Sequence, residues 1–113
     1  MKNETAAVDY YKKAIAVDAN EPNANFNLGR IIAEKGNSTM KEAEKLWGKK
    51  GYQAKVDEGK GYLKQACACF EITAKNSKDK NLQKNSYFNL MRLYAQLQQM
   101  DKSKEAKLQY ESI

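Results

Sequence analysis

Phe26-Asn27-Leu28-Gly29-Arg30, followed by Ala33, returns sixty-two residues later as Phe88-Asn89-Leu90-Met91-Arg92, followed by Ala95. A shorter match trails each copy in the same order, Glu42-Ala43 and then Glu105-Ala106, at an offset of sixty-three. Two linked matches mark an internal repeat, and a repeat decides the architecture before any single element is read. Around it lies a second regularity, an alanine followed four residues later by a large aromatic, at Ala7/Tyr11, Ala43/Trp47, Ala66/Phe70 and Ala106/Tyr110. In a helix that spacing puts both residues on one face, where the small one admits a neighbouring helix and the ring fills the space beside it. The pairs predict stacked helices, each buried ring contributing about 1.5–3 kcal/mol.

The punctuation between these motifs agrees. A first helix is expected from about Glu4 to Ala19, with Ala7, Val8, Tyr11, Ala14 and Ile15 as its buried stripe. Pro22 suits the first position of a second helix, which should run to Lys35 and stop at Gly36-Asn37. Thr39 with Glu42 three residues on reads as a capping box that opens a third helix at Met40. Gly48 and Gly51 predict a break near residues 48–52, and Gly59 and Gly61 lower the helix propensity of the next stretch. A helix resumes through Leu63, Ala66, Cys69, Phe70 and Ile72 to Asn76-Ser77, and two more cover about Leu82 to Gln98 and Lys102 to Ser112. The fold class is therefore all-α, with five to six helices and no alternating strand pattern.

Composition narrows the function. At 113 residues, 42% hydrophobic and 30% charged, the chain can bury roughly two thirds of its unfolded surface in one domain without disulfides or metals. It shows no apolar run long enough for a membrane span and no signal-peptide pattern, so a soluble chain is expected, in cytoplasm or periplasm. Histidine is absent, which removes the commonest general base and the commonest metal ligand. Cys67 and Cys69 form a C-x-C pair whose side chains diverge by about 200° on a helix, so they read as small apolar fillers. No catalytic residue, metal site or cofactor is expected. The net charge of +6 comes from lysines interleaved with acids, Lys41, Lys45, Lys49, Lys50, Lys55, Lys60 and Lys64 among Glu42, Glu44, Asp57 and Glu58. That is the pattern of a solvated helix face, and it argues against a nucleic-acid surface.

The residues resemble the tetratricopeptide repeat, whose signature is W-x-x-L-G-x-x-Y, then A-x-x-x-F, then P, on a helix-turn-helix of about 34 residues. Asn25-x-x-Leu28-Gly29-x-x-Ile32 with Ala43-x-x-x-Trp47 is similar to one copy, and Tyr87-x-x-Leu90-Met91-x-x-Tyr94 with Ala106-x-x-x-Tyr110 to another. Residues 1–20 look like the second helix of a partial unit, 22–76 like a unit with an inserted or lengthened helix, and 81–113 like a closing unit. The lengthening is similar to a group of bacterial members of the family. The resemblance implies one domain over 1–113, a short right-handed α-solenoid, and a protein- or peptide-binding scaffold rather than an enzyme.

It also implies a concave groove lined by the first helix of each unit. On those helices Asn27, Arg30 and Glu34 are matched by Asn89, Arg92 and Gln96, with Asn23 and Asn85 one turn earlier. Amide and guanidinium groups in that array suit an extended, acidic peptide. The same residues also suit the solvated side of amphipathic helices. A self-associating structural piece of a larger assembly, with a homodimer as its simplest form, is the alternative function.

Overall fold

The computed structural model describes residues 2–113, with side chains described from Thr5 onward. Five helices account for nearly all of it: α1 (Lys2–Val17), α2 (Pro22–Glu44), α3 (Tyr52–Asn76), α4 (Lys80–Gln96) and α5 (Met100–Ser112). Each packs on the next in sequence, α1 on α2, α2 on α3, α3 on α4 and α4 on α5, with α2 and α3 sharing the most extensive surface. The result is a flat body whose Cα envelope measures 46 × 35 × 17 Å.

The chain turns where local chemistry stops a helix. Pro22 sits in the first turn of α2, and the Glu21 carboxylate accepts from the Ala24 N–H as its cap. Buried Asn25 ties the preceding turn to α2, its amide donating to the Ala19 carbonyl at 3.1 Å and the Glu21 carbonyl at 2.9 Å. Asp79 caps α4 by accepting from the N–H groups of Asn81 and Leu82. Between α4 and α5, Gln98 takes the left-handed conformation at φ 62°. The N–H groups of Gln98 and Gln99 then reach back to the carbonyls of Ala95 and Tyr94, which closes a Schellman motif.

One expected boundary is absent. The helix predicted to stop at Gly36-Asn37 runs through to Glu44, so the second and third predicted helices are a single α2 and the total is five. Gly36 is there for interhelical contact: it is buried against Leu63 and Tyr62 of α3. Thr39 does not cap. Its hydroxyl bonds the Lys35 carbonyl at 2.8 Å, the back-bond of a mid-helix threonine, and Glu42 instead pairs with Lys55 of α3 at 3.1 Å.

Residues 22–76 thus make one long antiparallel hairpin. Its buried α2 positions, Asn25, Leu28/Gly29, Gly36, Thr39 and Ala43, with half-buried Ile32 between Gly29 and Gly36, and its buried α3 positions, Val56, Gly59, Leu63, Ala66/Cys67, Phe70 and Thr73/Ala74, step in threes and fours. That spacing is the seam of a near-parallel helix pair. Glycine on either side draws the backbones together, Gly29 at Phe70, Gly36 at Leu63 and Gly59 at Met40. The Thr73 hydroxyl, fully buried, closes the base of the hairpin on the Pro22 carbonyl at 2.9 Å.

The core continues from α3 into α4 and α5 through Leu63, Ala66, Cys67, Phe70, Leu90, Leu93, Tyr94 and Ala106. Of the alanine/aromatic pairs, Ala66/Phe70 is fully interior, and Ala106 is buried with Tyr110 half-buried beside Phe88. The α1 stripe of Ala7, Val8, Tyr11, Ala14 and Ile15 is only half-buried; among the described residues its extensive packing is against α2. Trp47 departs outright from expectation: it is 74% exposed. The helix ends at Glu44, so the four-residue spacing from Ala43 no longer keeps the indole on the packed face.

Candidate functional site

Leu28 and Leu90, equivalent in the repeat, are both buried, and this orients the polar residues that come after them. Arg30 and Arg92, two residues on, are both exposed and open onto a single groove between α2 and α4. The groove encloses about 260 Å³, with Arg30, Ala33, Glu34 and Asn37 on the α2 wall and Asn89, Arg92, Leu93 and Gln96 on the α4 wall. Phe70 of α3 forms its floor. That ring is 1% exposed and held edge-on by Phe26 at a centroid distance of 5.5 Å, so the floor is fixed by the core.

Five of the eight predicted groove residues meet here: Arg30, Glu34, Asn89, Arg92 and Gln96. Asn27, Asn23 and Asn85 do not line it. Asn27 lies outside, its amide donating to the Asn23 carbonyl at 2.9 Å while its side-chain oxygen accepts from Arg30 at 3.5 Å. Asn23, in the first turn of α2, and Asn85, in the second turn of α4, are exposed. Four lining residues were missed from the sequence: Phe70, read as core, Ala33, Leu93, and Asn37, read as part of a helix stop. Asn37 accepts a 3.1 Å hydrogen bond from the Gln96 amide, a bridge between α2 and α4 at one end of the groove.

The electrostatics of the groove are simple. Two guanidinium groups face one carboxylate, Glu34, and among the described residues neither arginine belongs to an ion pair. Arg92 is steadied over the Phe88 ring, 5.7 Å from its centroid. Phe88 itself is 39% exposed, whereas its repeat partner Phe26 packs against the core. Elsewhere α3, α4 and α5 enclose a concavity of about 320 Å³ in which Glu71 and Glu105 outnumber Lys102. Of these two concavities, the α2/α4 groove is the one whose lining complements an anionic ligand.

The two cysteines lie away from both walls. Cys67 is buried, and that burial, reinforced by the neighbouring Glu71 carboxylate and partly offset by Lys102, pushes its thiol up to about 12. Burial also raises Cys69. Thiols held protonated in this way are poor nucleophiles. Among the described residues no group of three or more His, Cys, Asp or Glu is placed to hold a metal ion, and no helix is long and apolar enough to cross a membrane. No family model, no curated protein and no solved structure matches the chain.

Proposed function

We propose that this chain is a protein- or peptide-binding module with no chemistry of its own, built of tetratricopeptide-like units stacked as a short right-handed solenoid. Its ligand is an extended segment carrying a carboxylate, held in the α2/α4 groove. One observation carries this reading: Arg30 and Arg92, contributed by the two copies of the repeat, converge on one groove floored by an immobilised apolar ring. Each guanidinium can grip a carboxylate through two parallel N–H groups, a bond worth about 1.5–3 kcal/mol. The amides of Asn89 and Gln96 can both donate to and accept from a peptide backbone, which holds a chain without demanding its sequence. An apolar side chain of the ligand would rest on Phe70 and Leu93. A peptide array that compares acidic, neutral and basic sequences tests the reading: it requires enrichment of acidic members, and enrichment of basic members would refute it.

Self-association is the second reading, favoured by Leu108, which is 65% exposed on α5, and by the half-buried stripe of α1. These outer faces would stack copy on copy. Light scattering decides it, since the reading requires a dimer that Leu108→Lys dissociates.

A further inference from the structure

The α2–α3 hairpin extends beyond the helices packed on it. Gln96, the last residue of α4, bonds Asn37, so α2 runs on from residue 38 to Glu44 past the end of α4, about 10 Å at 1.5 Å per residue. The turn at its tip, residues 45–51, is exposed except for half-buried Leu46. Gly48 and Gly51 hold it in left-handed conformations at φ 74° and 90°, with open space around both. At the centre of this turn stands Trp47, 74% exposed, its ring edge-on to Tyr52 at 5.0 Å. Lys45, Lys49 and Lys50 flank it, all exposed, and among the described residues none of the three is in an ion pair. The nearby Glu42 is already engaged by Lys55.

We propose that this tip is a contact point for the anionic headgroups of a lipid bilayer, with Trp47 entering the interface and Lys45, Lys49 and Lys50 binding the headgroups around it. An indole is apolar in body and polar at its N–H, the combination that settles at headgroup depth. Lysine stems cover the apolar surface beside it while their ammonium groups reach the phosphates. Each lysine near an anionic surface strengthens binding about fivefold. A second copy of the chain is a poorer occupant, because two such tips repel, and one turn cannot supply the roughly 800 Å² per partner of a stable interface. Single-stranded nucleic acid needs cations along a groove that tracks its phosphates, whereas these lysines crowd one point.

Trp47 is the only tryptophan of the chain, so its fluorescence reports this contact directly. The protein is titrated with vesicles of phosphatidylcholine containing about 30% phosphatidylserine, with vesicles of phosphatidylcholine alone, and with a thymidine oligonucleotide. The expected result is a blue shift and protection from acrylamide quenching with the anionic vesicles only, reversed by high salt. Lys45→Glu with Lys49→Glu and Lys50→Glu should weaken that binding at least about tenfold. Trp47→Ala, followed by co-sedimentation and checked for helicity, should weaken it too. Arg30→Ala with Arg92→Ala should leave vesicle binding unchanged, which separates this tip from the peptide groove. Absence of the shift, an equal shift with uncharged vesicles, a response to the oligonucleotide alone, or loss of vesicle binding in the arginine variant would each overturn the proposal.

Discussion

Gly36 of α2 and Leu63 of α3 meet with no room for another atom: a Cβ on Gly36 would lie 2.8 Å from Cδ2 of Leu63 and 3.1 Å from its Cγ. Leu63 is 1% exposed and cannot retreat. Overpacking costs about 1–3 kcal/mol, against about 1 kcal/mol returned by removing a helical glycine. Gly36→Ala should therefore lower stability by up to about 2 kcal/mol. Gly61→Ala, on the same hairpin but with nothing within 4 Å, should raise it by about 0.5–1 kcal/mol. Urea unfolding of both variants checks the opposite signs.

How much of this was legible in the sequence depended on whether a residue answers to its own helix or to a neighbour. Pro22, the Gly48/Gly51 break and the Asn76-Ser77 stop act locally, and the structure turns at each. Gly36 looks like a stop signal because the sequence does not distinguish a glycine that ends a helix from one that admits Leu63. Thr39 and Glu42 have capping-box spacing, yet in mid-helix the hydroxyl bonds backward and the carboxylate reaches α3. The repeat brought out Arg30 and Arg92. Phe70 and Asn37 stayed hidden as groove residues because one comes from the intervening helix and the other from a supposed turn.

The two aromatic residues that sequence spacing treats alike should behave differently. Phe70→Ala removes a ring that is 1% exposed and should cost about 3–5 kcal/mol. Trp47→Ala removes one that is 74% exposed and should cost less than about 1 kcal/mol, the value of its contact with Tyr52. Equal losses in thermal or chemical denaturation would contradict the placement of Trp47 on the surface.

Two positions leave stability unclaimed. The Ser86 hydroxyl is fully buried and among the described residues has no hydrogen-bond partner, so Ser86→Ala should stabilise by about 1 kcal/mol. Gln98 occupies the left-handed position of a Schellman motif that glycine fills without a Cβ clash, and Gln98→Gly should add about 0.5–1 kcal/mol. Calorimetry should show the two gains adding in the double variant, since the substitutions share no contact.

Cys67 ties stability to alkaline pH. In the folded chain its thiol stays protonated up to about 12, while in the unfolded chain it ionises near 9.0. Between those values the unfolded state holds fewer protons, so stability is fully present below about pH 9 and falls as pH rises toward 12. Cys67→Ala should lose less stability than the parent over that window. Alkylation of the parent near pH 8 should be slow until denaturant is added.

The central claim is that the repeated arginines form the anion-binding walls of a peptide groove, and fluorescence anisotropy with an acidic peptide selected from the array tests it most directly. Arg30→Ala with Arg92→Ala should weaken binding by about 1.5–3 kcal/mol per charge-assisted hydrogen bond lost. Stability should move by less than about 0.5 kcal/mol for each substitution, because both side chains are exposed. Unchanged affinity in a folded double variant, or unfolding of that variant, would contradict the account.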